Sequence, residues 1–97
     1  MIREADIERL YAHCLDLFRT GRQTTYGAVA RHLGYEPAFA HSKILWEMLE
    51  QVNVLAKQRG ETHAISGVVV NADTKLPGTG YLPCAARLGL IPVVRTL

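Results

Sequence analysis

Thr24-Thr25-Tyr26-Gly27-Ala28-Val29-Ala30-Arg31-His32-Leu33-Gly34-Tyr35, followed by Pro37 and the apolar-periodic run from Phe39 to Leu55, reads as a helix-turn-helix. A cap at Thr24 or Thr25 opens a short helix to Leu33 that buries Val29, Ala30 and Leu33. Gly34 then stands where a helix stop needs positive φ. Pro37, at the first position of the next helix, gives up no hydrogen bond there. A unit of this kind points to DNA before it points to chemistry, because the N-terminal residues of its second helix reach base edges.

Upstream, Ile7, Leu10, Tyr11, Cys14, Leu17 and Phe18 recur on one helical face, so residues 4 to 19 form an amphipathic scaffold helix ended at Gly21. Downstream, Phe39, Ala40, Ile44, Leu45, Met48, Leu49, Val52, Leu55 and Ala56 lie on one side of a pattern closed by Gly60. Its length predicts either one long helix or a kink near Glu50 to Asn53. Ile65, Val68, Val69 and Val70 form a β-branched run, which predicts a buried strand over His63 to Val70. Asn71 to Gly80, rich in Gly, Pro, Asn and Asp, predicts a hairpin tip or ordered loop, the wing. Leu82 to Leu88 reads as a short helix ended by Gly89, and Ile91 to Val94 as an extended tail. The expected fold is mainly α with a small β hairpin (α+β), a winged helix-turn-helix forming a single domain over residues 1–97.

The chain is long enough for one core and too short for a deep cleft between lobes. Its 48% hydrophobic and 21% charged residues are those of an ordinary soluble globular protein, and no apolar run approaches the roughly 18 residues a membrane span needs. The polar, acid-bearing start is unlike a signal peptide, and a cytoplasmic location is expected. Cys14 and Cys84 have no partner at metal-ligand spacing, so no metal and no cofactor is expected. Cys14 falls on the apolar stripe of the first helix as a small buried hydrophobe, while Cys84, near a turn, is the more accessible thiol.

The net charge of +2 is unevenly spread. Residues 1 to 16 sum to −2, whereas residues 17 to 46 carry Arg19, Arg22, Arg31 and Lys43 against Glu36 alone, an excess of +3. That excess coincides with the helix-turn-helix and predicts modest, salt-sensitive affinity for phosphates.

Gly21-Arg22-Gln23-Thr24-Thr25-Tyr26-Gly27-Ala28-Val29-Ala30, with Leu33-Gly34 and Pro37 after it, resembles the opening of the DNA-binding domain of O6-alkylguanine-DNA alkyltransferases and alkyltransferase-like proteins. Val69-Val70-Asn71-Ala72-Asp73 with Leu76, Gly78, Gly80 and Tyr81 is similar to a second segment of those families, and together the match spans roughly residues 17 to 82. The departures fall where the chemistry would be. The transferases place Pro-Cys-His-Arg before the Val-Val, and the alkyltransferase-like proteins replace only the Cys by Trp; here those positions read Ile65-Ser66-Gly67-Val68. A serine without an activating histidine is a poor nucleophile, so the resemblance implies neither alkyl transfer nor the usual lesion pocket. Pro83-Cys84-Ala85-Ala86-Arg87 echoes the missing motif but follows the Gly-Tyr segment and lacks the histidine. The family's minor-groove arginine falls near His41, with Lys43 two positions on, and Tyr26 matches the family's tyrosine beside a flipped nucleotide.

The sequence therefore leads to a non-enzymatic winged-helix DNA-binding protein with no catalytic residues. Its expected contacts to double-stranded DNA are Arg22, Thr25, Tyr26, Arg31, Ala38, His41, Ser42 and Lys43, with Asn71 and Lys75 on the wing. The alternative is a protein-interaction winged-helix module, an accessory of a larger nucleic-acid or mobile-element system, for which an exposed Trp46 would be the hot spot. His63 and Ser66, on one short strand, would face opposite sides and make no catalytic pair. Oligomeric state is left open.

Overall fold

A computed structural model describes residues 3–93, with Pro37 and His41 described by backbone alone; Val94 of the expected tail lies outside the described residues. The scaffold helix α1 spans Glu4–Arg19 and turns Leu10, Tyr11, Cys14 and Leu17 inward, as its periodicity requires. A two-residue strand β1, Thr24–Thr25, runs into α2, Tyr26–His32. The Thr25 hydroxyl oxygen accepts from the Ala28 N–H at 3.2 Å, the expected cap. At the other end Gly34 adopts φ +79°, and the Tyr35 N–H reaches the Ala30 carbonyl at 2.8 Å, closing the helix in the left-handed conformation that favours glycine.

The second half of the unit departs from both expected forms, one long helix and a helix kinked near Glu50 to Asn53. Pro37–His41 form a 3-10 turn, Ser42 is extended (φ −80°, ψ 138°), and α3 then runs unbroken over Lys43–Gln58. The break thus lies at Ser42 and not near Glu50 to Asn53. Ser42 Oγ accepts the Ile44 N–H at 3.0 Å, and this side-chain bond offsets the loss of continuous helical bonding at that position.

The expected strand over His63 to Val70 is two short strands, β2 His63–Ala64 and β3 Val69–Val70, separated by a 3-10 turn over Ile65–Val68. β1 pairs with β3, and β2 pairs with β4 (Ile91–Pro92), both in parallel. The expected β hairpin is therefore absent among the described residues. Parallel partners need a crossover between them, and helices fill both crossovers here. The turn-rich segment does not return as a strand. It leads instead into α4, Tyr81–Leu88, which ends at Gly89 as the sequence predicts. The result is a mainly helical α+β domain in which α1 and α3 enclose a core completed by Val29, Ile65, Val68 and Val69. Among the described residues no helix is long and apolar enough to cross a membrane.

Asp6 ties the start of α1 to Tyr35, just after α2. Its buried carboxylate accepts from the Tyr35 hydroxyl and from Arg3 Nε at 3.1 Å, with Arg9 at 3.7 Å. The Tyr35 bond, and after it the Arg3 bond, hold this carboxyl below its ordinary 3.8 against the opposing effect of burial. Between α1 and α2, His13 and His32 stack with ring centroids 4.0 Å apart and planes 13° from parallel. Desolvation, then the charge of His32, holds His13 below its ordinary 6.5. The folded state thus binds fewer protons than the unfolded chain as pH falls through 6.5, so stability declines in that direction. A urea midpoint lower at pH 5.5 than at pH 7.5, with the difference reduced in His13→Phe, is expected; equal midpoints in the native chain would refute the linkage.

Candidate functional site

The N-terminus of α2, the first turns of α3 and the loop after β3 meet around Tyr26, Trp46 and Gly78, which separate an outer groove from an inner cavity. The loop is self-supporting. The Asn71 N–H donates to the Leu76 carbonyl at 2.9 Å and the Lys75 N–H to the Asn71 carbonyl at 2.8 Å. Asn71 Oδ1 accepts the Asp73 N–H at 2.8 Å, and Lys75 sits at φ +61° at the tip. Tyr26 fastens the loop to the start of α2, its hydroxyl accepting the Gly78 N–H at 2.7 Å. Burial pushes the Tyr26 phenol up, opposed by that bond, so it stays protonated near neutrality and keeps its O–H as a donor.

The groove, about 520 Å³, brings together Thr25, Tyr26, Arg31 and Asn71 of the residues expected from sequence. Thr25 is committed to capping α2, whereas Arg31 is exposed and makes no ion pair with any described residue. Its guanidinium lies over Gly27, where an added Cβ would fall 3.8 Å from Nη1. The remaining expected contacts do not line the groove. Arg22 is held by Asp16 and by Thr20 Oγ1, each at 2.9 Å, Ser42 caps α3, and Ala38, Lys43 and Lys75 are exposed elsewhere. The side chain of His41 lies outside the described residues. Arg19 pairs with Glu61 at 3.3 Å, so the basic excess seen in the sequence narrows to Arg31 and Lys43.

The inner cavity, about 80 Å³, has Tyr26, Trp46, Leu49 and Pro77 in its wall and Asn53, Ser66 and Cys84 in its polar part. It is roughly half the 150 Å³ cavity that admits benzene, so it excludes a purine while Trp46 holds its present position. Asn53 is 1% exposed and clamps the 3-10 turn: its Oδ1 accepts the Ser66 N–H at 3.1 Å, and its Nδ2 donates to Ser66 Oγ at 2.9 Å. Cys84 is buried rather than accessible, because α4 turns it inward, 3.7 Å from Asn53 Nδ2. His63 lies apart from Ser66, its ring against Phe18 and its Nδ1 bonded to Thr62. No family model matches the chain, and neither do curated proteins or solved structures.

Asn53 is the site residue that sequence reasoning passed over, although an amide on the apolar face between Met48, Val52 and Ala56 was an available signal, since a buried polar group needs a partner. Trp46 was read from sequence as the hot spot of a protein-interaction surface, if exposed, and not as a wall of this site. In the structure Trp46 is 50% exposed and forms a wall of both spaces.

Proposed function

We propose that the chain is a non-enzymatic winged-helix DNA-binding protein, an alkyltransferase-like module in which the loop after β3 serves as the wing. The observation that carries this reading is the groove that gathers Tyr26, Arg31 and Asn71 beside α3. Arg31 and Lys43 supply the charge for phosphate contact, as neither is ion-paired to a described residue. A backbone-contacting role fits modest, salt-dependent affinity, because each neutralised phosphate releases counterions. The expected result is that Arg31→Ala and Lys43→Ala each weaken binding to a random duplex and reduce the salt slope by about one. Fluorescence anisotropy at two salt concentrations checks this, and unchanged binding in both variants rejects it.

A second reading, a protein-interaction module of a larger nucleic-acid or mobile-element system, is favoured by the half-exposed indole of Trp46. Absence of binding to duplex and single strand alike at low salt would favour it.

A further inference from the structure

We infer that the groove takes an unpaired nucleobase, stacked on Trp46, so that the preferred nucleic acid is single-stranded or carries an unpaired end. This rests on the DNA-binding reading and specifies the form of DNA. Trp46 is the chain's only tryptophan and leaves half its surface in solvent on the wall of a groove of about 520 Å³. That space exceeds the cavity of about 150 Å³ that admits benzene, whereas the cavity behind the indole, about 80 Å³, does not reach it. A base therefore stops at the indole and does not pass inward.

The chemistry of the groove favours a base over an apolar side chain. Gly27 and Gly78 line the groove with backbone, so the Arg31 guanidinium and the Tyr26 ring beside them are the side chains that a base approaching the indole passes. Arg31 supplies a cation for one phosphate, and the Asp73 carboxylate, which has no partner among the described residues, lines the same groove. Phosphate is drawn to the cation and repelled by the carboxylate, which accepts instead from base amino groups, so a strand here turns its backbone toward Arg31 and its base toward Asp73 and the indole. Within a duplex both faces of each internal base are covered by neighbouring bases, so only an unpaired or terminal base can stack on the indole. Stacking on an aromatic side chain is tolerant of sequence and of the order that a tenfold affinity change reports.

The test titrates Trp46 emission at low salt with a deoxyadenosine oligomer of about 12 nucleotides, a length within the range of single-strand sites, and with a covalently closed circular duplex, which offers no terminal base. Labelled-oligomer anisotropy on Trp46→Ala and Trp46→Phe follows, with circular dichroism melting to establish that both variants fold. The expected result is saturable quenching by the single strand and tighter binding of it than of the duplex. Trp46→Ala is expected to lose about tenfold or more in single-strand affinity, and Trp46→Phe less. Equal binding of both forms with unchanged emission, and no effect of Trp46→Ala, overturns the stacking inference and leaves the duplex-binding reading in place. Binding of neither form overturns both and assigns the indole to a protein partner.

Discussion

Asn53→Ala is expected to lower the unfolding free energy by about 2–4 kcal/mol, a large part of the roughly 5–15 kcal/mol that a domain of this size holds. The substitution leaves the Ser66 N–H without its acceptor and Ser66 Oγ without its donor, in a turn whose residues are all buried. Ser66 is buried and faces a cavity of only about 80 Å³, so a water that replaces the amide offsets the lost bonding only in part and at an entropic cost. Urea denaturation measures the change, and a loss below about 0.5 kcal/mol, the usual range for surface substitutions, would show that the clamp is dispensable. Asn53→Asp separates hydrogen bonding from shape. The carboxylate can still accept the Ser66 N–H, but its ionised form is buried, which raises its folded pKa above the unfolded value of about 3.9. That variant is fully supported below its unfolded pKa and loses stability as pH rises through the folded one, the opposite slope to that of Asp6 and His13 in the native chain.

The second large effect is expected at Gly67. A Cβ there would fall 2.6 Å from Tyr81 Cζ, closer still to its hydroxyl, and 3.0 Å from Val93 Cβ. Tyr81 has no room to yield, since it is buried and its hydroxyl donates to the Ala64 carbonyl at 2.6 Å and accepts the Val93 N–H at 2.7 Å. Gly67→Ala must either distort the 3-10 turn or drive Tyr81 off both partners. Overpacking alone costs about 1–3 kcal/mol, and stranding a buried carbonyl adds about 1–3 kcal/mol more. Thermal unfolding would register this as a fall of about 10 °C or more, at roughly 4–8 °C per kcal/mol for a chain of this length. A double-mutant cycle with Tyr81→Ala locates the strain: the cost of Gly67→Ala should shrink in that background. Full additivity would place the strain elsewhere.

Both predictions concern the same small region, and it carries the function proposed above. The Asn53 clamp holds the turn from which β3 leaves, β3 pairs with β1 immediately before Tyr26, and Tyr26 fastens the loop beside the groove. Weakening the clamp should therefore loosen the groove before the helices melt, which quenching of Trp46 by acrylamide can follow.

The helices α1, α2 and α4 were legible in the sequence, because their determinants are local. Leu10, Tyr11, Cys14 and Leu17 recur at the helical period, Thr25 caps, and Gly34 and Gly89 stop. The break at Ser42 was written only weakly, since Phe39, Ala40, Ile44 and Leu45 continue the helical period across it. His63 to Val70 was read as one strand because periodicity cannot register that Asn53, 13 residues before Ser66, captures the Ser66 backbone. Of the expected contacts, Tyr26, Arg31 and Asn71 converge because β1 pairs with β3, while Arg22 is drawn aside by Asp16.

What the sequence by itself determined is α1, α2 and α4 with their ends and the C-terminal end of α3, for which hydrogen bonding within a few residues and the period of apolar side chains suffice. Only the tertiary structure decided the parallel pairing of the strands, the burial of Cys84, the Asn53 clamp, and the division of space by Tyr26 and Trp46 into a groove and a small cavity. Those depend on contacts between residues far apart in the chain, whose partners no local pattern specifies and which packing and the satisfaction of buried polar groups select.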